Sequence, residues 1–230
     1  MIVVNNDDPD SDYGAKHLAA AFAAVFSAEI VSPLEGFPSA DDWIRGGAAD
    51  ALVLSGSDRS VREALPWMLE EEELLREAVG ARVPVLAICF GHQLVGEAFG
   101  AGIETREKRI GLFEVAVVGR DPAFDGLGDS ATVPEQHADQ LSRVPDGFEL
   151  IATSDYCPVQ AVRHASAPAY GMQFHPCYEE SVFEADEAWE ALPQLRESFR
   201  HDGPRILANV ARIFAEVAAQ RGGVDGAGSG

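Results

Sequence analysis

The residue in this chain best placed to do covalent chemistry is Cys89, in the run Val85-Leu86-Ala87-Ile88-Cys89-Phe90-Gly91-His92-Gln93. Four apolar residues suited to a buried strand end at a thiol. A small-residue turn and a helix-like segment, Gln93 to Phe99, follow it. This is the pattern of a nucleophile elbow, a sharp strand-to-helix turn that presents a reactive side chain above a parallel sheet. The helix N-terminus beneath the sulfur favours the thiolate, and such a thiol attacks a carbonyl carbon when a base is near. A single cysteine after an apolar strand is also what a small buried hydrophobe looks like, so other segments must decide between the two.

Strand and helix signals alternate around the thiol in the first half of the chain. Ile2–Val4 is a short β-branched strand, Tyr13–Ser27 is an alanine-rich helix, and Ala51–Leu54 is a strand stopped by Ser55-Gly56-Ser57. Pro66 opens a helix at its favoured first position and Gly80 closes it, the acidic run Glu70–Glu73 lying within it. Val83–Ile88 leads into Cys89. Such alternation implies a mostly parallel α/β sheet flanked by helices.

The second half reads as an added antiparallel β segment. Gly111–Val118, Thr132–Glu135, Phe148–Thr153, Val159–Arg163 and Ala169–Phe174 are short strand-like runs between Gly, Pro and Asp turns. Ala188 to Gln220 is largely helical, with an interruption at Gly203-Pro204. One domain is expected over residues 1–220, followed by a disordered Gly-rich tail at 221–230.

Composition narrows the function classes. The 230 residues carry a formal charge of −21, which argues against nucleic acid and anionic membrane as partners. Lys16 and Lys108 are the only lysines, and the other 15 of the 17 basic residues are arginine. This bias suits a strongly hydrated, halophilic surface. Cys89, Cys157 and Cys177 are too few and too odd in number for a disulfide framework, which points to a reducing compartment. Met1 to Asn6 reads as a strand rather than a signal peptide, and the apolar tract Leu18 to Ala28 is too short for a bilayer. A soluble, cytoplasmic protein is expected.

Three segments then resemble one family, the class I (triad-type) glutamine amidotransferases, and within it most of all the glutaminase domains of GMP-synthetase type. Ala87-Ile88-Cys89-Phe90-Gly91-His92-Gln93 resembles the nucleophile motif, Ala169-Tyr170-Gly171-Met172-Gln173-Phe174-His175-Pro176 the late histidine motif, and Leu54-Ser55-Gly56-Ser57 the oxyanion loop after the third strand. Gln136-His137-Ala138-Asp139 and Arg109-Ile110-Gly111 are weaker matches. The resemblance implies a flavodoxin-like fold and glutaminase chemistry without metal or organic cofactor. Cys89 would attack the side-chain amide of glutamine, and His175 would take and return the proton. The amides of Phe90 and Gly56 would hold the oxyanion. Gln93, His137 and Asp139 would contact substrate.

One position departs from that pattern. The family places a glutamate two residues after the histidine, and here the residue is Cys177, a weak partner for an imidazole. Ala87 also stands where glycine is usual. Three arrangements follow: Glu179 or Glu180 substitutes as the orienting acid, Cys89 and His175 act as a dyad, or the scaffold has kept only a binding or regulatory role. Cys89, His175 and Cys177 lack the further spacing of a metal site. The expected substrate is glutamine or, alternatively, a γ-glutamyl compound, as for a γ-glutamyl hydrolase or peptidase. A separate synthetase subunit is the expected acceptor of ammonia.

Overall fold

The computed structural model of the protein describes residues 1–7, 11–35, 41–45, 50–184 and 198–225. Its strands form a nine-stranded sheet in the order β2-β1-β3-β4-β9-β8-β7-β5-β6. The parallel half contains β1 (Ile2–Val4), β2 (Glu29–Val31), β3 (Leu52–Leu54), β4 (Val85–Ile88) and β9 (Ala169–Met172). The antiparallel half adds β5 (Ile103–Val117), β6 (Ser130–Leu141), β7 (Phe148–Thr153) and β8 (Ala161–His164).

Alternation along the inner strands builds two cores, one on each face. Val3, Val53, Leu86 and Ile88 point to the face covered by α1 (Tyr13–Phe22) and the C-terminal helix, meeting Leu18, Phe22, Val210 and Phe214. Val4, Leu52, Leu54, Val85 and Ala87 point to the other face, against Met68, Leu74 and Leu75 of α2 (Pro66–Gly80) and Phe90 and Leu94 of α3 (Phe90–Ala98). Strands buried on both faces have no polar side, so they read as continuous apolar runs.

Several boundaries differ from the expectation. Helix α1 stops at Phe22, because the chain then turns so that the amides of Val25 and Phe26 both reach the Phe22 carbonyl, and Phe26 tucks into the core. Strands β5 and β6 run well beyond the expected Gly111–Val118 and Thr132–Glu135. They form a long ribbon whose charged stretch Glu104–Lys108 is largely exposed, so it lacks the apolar signal of a core strand. A short α4 (Glu180–Glu184) follows the histidine motif. The final helix, α5 (Gly203–Asp225), extends into the segment expected as tail, while 226–230 and the expected helical stretch 188–197 lie outside the described residues. No helix of the described residues is long and apolar enough to cross a membrane.

The turn from β4 into α3 is strained. Cys89 adopts φ 50°, ψ −103°, a conformation L-residues rarely hold, at a cost of about 1–3 kcal/mol. Gly91 makes the tight turn possible, since a Cβ there would lie 2.8 Å from the Leu54 Cβ and 3.0 Å from its carbonyl oxygen. Cys89→Gly is therefore expected to unfold at higher denaturant than Cys89→Ala, by about 1 kcal/mol. Equal or lower stability of the glycine variant contradicts a strained elbow.

Candidate active site

The carboxyl ends of the parallel strands converge on one cavity of about 650 Å³, whose walls include Asp7, Gly56, Ser57, Cys89, His175 and Tyr178. These residues follow β1, β3, β4 and β9, and open α/β sheets place ligands at this edge. Cys89 and His175 line the same cavity because β4 and β9 are parallel neighbours with Ile88 opposite Met172. The Cys89 amide donates to the Met172 carbonyl at 2.8 Å, continuing that ladder into the elbow. Gly56 sits between the two side chains. A Cβ on it would lie 3.0 Å from His175 Cε1 and 3.6 Å from Cys89 Cβ, so the absence of a side chain there lets thiol and imidazole share one space.

The Ser55–Gly56 loop after β3 is held from three sides. The Ser55 carbonyl accepts from Gly91 N at 3.3 Å and from Asn6 Nδ2 at 3.2 Å, and Ser55 Oγ donates to the Gly56 carbonyl at 2.9 Å. In a trans peptide the N–H points opposite to the C=O. Fixing the Ser55 carbonyl therefore aims the Gly56 N–H away from Gly91 and Asn6. The Phe90 N–H lies against the sulfur and favours its charged form.

Burial dominates the electrostatics. It pushes the Cys89 thiol up to about 12, with Asp7 and Asp58 adding to the rise, while the Phe90 amide and Gln173 oppose it. Burial likewise pushes His175 down to about 3, His137 adding to the fall and the Gln136 main chain opposing it. At neutral pH the resting pair is thus thiol and neutral imidazole. Desolvation outweighs the helix-terminus effect that the sequence suggested would favour a thiolate. Tyr178 stacks on His175, with centroids 3.9 Å apart and planes at 22°. Nε2 of His175 is buried without a hydrogen-bond partner.

The structure brings some of the expected site residues together and separates others. Gly56, Phe90, Cys89 and His175 cluster. Gln93, His137 and Asp139 are joined to one another behind the cavity wall. Gln93 Nε2 donates to the Asp139 carbonyl at 2.9 Å, and His137 Nδ1 lies 3.2 Å from the same oxygen. Asp139 is also held through its carboxylate, which accepts from Ser60 Oγ and Thr105 Oγ1. Glu179 is two-thirds exposed and faces His17 Nε2 at 3.6 Å rather than the His175 ring. Cys177 is half-buried between the main cavity and a neighbouring one. Among the described residues, no group of three His, Cys, Asp or Glu side chains is arranged to hold a metal ion.

Other participants were not apparent from the sequence. Gln173 Nε2 lies 3.6 Å from the Cys89 sulfur, and its Oε1 accepts from Gln93. Glu135 is fully buried and collects His137, Arg109 and Gln160 around one carboxylate. Gln173 lies inside the quoted histidine motif and could have been found there. Glu135 ends the expected strand-like run Thr132–Glu135 and carries no such signal.

The fold is a mixed α/β sheet with a cysteine–histidine pair lining one cavity at its carboxyl edge. The chain belongs to the class-I glutamine amidotransferase family, matching its pattern over residues 19–187. It is 33% identical over 171 residues to a glutamine-hydrolysing GMP synthase subunit of Methanopyrus kandleri, covering 74% of this chain and 78% of that protein. The corresponding protein of Pyrococcus furiosus is 40% identical over 106 residues, but this match spans 56% of that protein's length. A solved structure described as a putative GMP synthase subunit from Thermoplasma acidophilum superposes with a TM-score of 0.73 and 25% identity, covering 96% of each chain.

Because burial holds the thiol neutral, alkylation of Cys89 by iodoacetamide should accelerate with pH and reach no plateau below about pH 9. A rate already level at pH 7 contradicts the neutral resting pair.

Proposed function

We propose that the chain hydrolyses the side-chain amide of glutamine through a thioester on Cys89 and supplies the released ammonia to a separate synthetase subunit. The observation that carries this reading is the meeting of Cys89, His175 and Gly56 in one cavity. The names of the relatives, glutamine-hydrolysing GMP synthase subunits, agree with it.

In this mechanism the imidazole acts as base only as the sulfur attacks. The thiol proton passes to His175 while the sulfur bonds to the amide carbon, and the carbonyl π electrons move to oxygen. The oxyanion is held by the N–H groups of Phe90 and Gly56, each worth on the order of 100- to 1000-fold in rate. His175 then protonates the amide nitrogen, the C–N bond breaks and ammonia leaves. Water repeats the sequence in reverse. Its proton goes to His175, its oxygen bonds to the thioester carbon, and the departing sulfur recovers the proton as glutamate forms. Among the described residues no carboxylate pairs with the His175 imidazole. The stacked Tyr178 ring and the His175 amide, which donates to the Pro134 carbonyl at 2.8 Å, support its position instead.

A second reading, γ-glutamyl hydrolysis, is favoured by the cavity volume of about 650 Å³, which accommodates ligands larger than a free amino acid. The acyl chemistry is the same and only the leaving amine differs. Glutamate release from glutamine and from a γ-glutamyl dipeptide, each beside a Cys89→Ala control, separates the two. Release from glutamine that vanishes in the control is the expected result. Preference for the dipeptide favours the second reading, and release surviving in the control contradicts both.

The unpartnered His175 Nε2 generates a sharper prediction. Cys177→Glu, at a position bordering two cavities, should raise kcat about tenfold or more, since removing the acid from a serine triad costs roughly 10⁴-fold. An unchanged kcat indicates that the dyad does not need the acid.

A further inference from the structure

We infer that Glu71 is a positioning residue of this site: as a neutral carboxylic acid it forms a two-point pair with the Asn6 side-chain amide, and that pair sets the orientation of the Ser55–Gly56 peptide. The inference rests on the reading of Gly56 N–H as an oxyanion donor. Glu71 is fully buried on α2, in register with Met68, Leu75 and Ala78 on the helix face turned to the core. Its Oε1 accepts from Asn6 Nδ2 at 3.1 Å, and the same nitrogen donates to the Ser55 carbonyl at 3.2 Å. The Asn6 main-chain amide also donates to Ser55 Oγ at 3.0 Å. Asn6 thus spans from α2 to the oxyanion loop.

Two atoms of this cluster are left over. Glu71 Oε2 and Asn6 Oδ1 are both buried without a partner. Both are acceptors if Glu71 is ionised, and two buried orphaned acceptors are costly. One proton on Oε2 resolves both at once. The acid O–H then donates to Asn6 Oδ1 while Asn6 Nδ2 donates to Oε1, which closes a ring of two hydrogen bonds. The second Nδ2 hydrogen remains for the Ser55 carbonyl. Ionisation would leave only the Nδ2–Oε1 hydrogen bond of the ring and set the charged Oε2 against Asn6 Oδ1, a repulsion between two buried acceptors that turns the amide and loosens its hold on the carbonyl that aims the Gly56 N–H.

Burial raises the Glu71 carboxyl to about 8, and the Asn6 hydrogen bond opposes the rise. The charged groups on the surrounding elements include Asp7 after β1, Asp42 in the short helix Asp41–Arg45, Asp58 after β3, Glu97 on α3, and Glu70, Glu72, Glu73, Arg76 and Glu77 on α2 itself. None contributes to the shift. The folded protein therefore keeps a proton that the unfolded chain loses near 4.5. Wild-type stability should fall as pH rises between these values and level off above about 8.

Glu71→Gln replaces the acid with an isosteric amide that keeps both hydrogen bonds at every pH. Denaturant unfolding of both proteins should show the advantage of Glu71→Gln widening from about pH 5 to about pH 8 and then holding. A difference independent of pH overturns the neutral acid, as does failure of Glu71→Gln to fold. The Gly56 amide resonance should titrate near pH 8 in the wild type and stay fixed in Glu71→Gln; a Gly56 resonance indifferent to this titration overturns the positioning role. Glutamine turnover should fall on the order of 10- to 100-fold above that pH in the wild type but stay level in Glu71→Gln. The same alkaline fall in both proteins also overturns positioning. Absence of any glutaminase activity would overturn the proposed function, while the unfolding and resonance measurements would still decide the state of Glu71.

Discussion

The parallel pairing of β4 with β9 is the constraint on which the site depends. Two segments far apart in sequence are brought into register by four residue pairs, Val85 with Ala169 through Ile88 with Met172. A one-residue slip would turn every side chain of a strand to the opposite face. Here it would put Leu86 and Ile88 into the core that receives Val85 and Ala87, and carry the thiol away from the imidazole. Burial on both faces prevents the slip. The cysteine–histidine pair at the sheet's edge is therefore held by apolar packing some distance beneath it.

Around that axis, polar groups are fixed by other polar groups. The Ser55 carbonyl is held by Gly91 and Asn6, Asn6 by Glu71, Gln93 by Asp139 and Gln173. Each link in so buried a network is expensive to leave open. Burial keeps Cys89 and His175 neutral at rest, so in the proposed mechanism charge develops only as the substrate reacts. The orphaned Nε2 of His175 marks where this chain departs from the triad pattern.

Much of the parallel half is legible in the sequence because β1, β3 and β4 are apolar runs closed by a polar or small residue, Asn5, Ser55 and Cys89. The elbow is legible for the same reason, as Ile88-Cys89-Phe90-Gly91 joins a strand end to a helix start. Strand β2 is not, since Glu29–Val31 is a short, mostly exposed edge. Nor is the full length of β5, whose Glu104–Lys108 stretch looks like a solvated loop. Glu71 is hidden in the acidic run Glu70–Glu73, which reads as a water-facing surface. The 3.6-residue period through Met68, Glu71, Leu75 and Ala78 gives it away once the helix face is known. Side-chain contacts such as Tyr178 on His175 depend on packing that no local pattern encodes.

In the proposed mechanism the sulfur of Cys89 becomes acylated by the substrate. Mass spectrometry of acid-quenched protein after incubation with glutamine tests it directly. The predicted result is one glutamyl group on the peptide containing Cys89, absent from Cys89→Ala and from samples without glutamine. Glutamine turnover with no adduct at Cys89, or with the adduct on another residue, would contradict it.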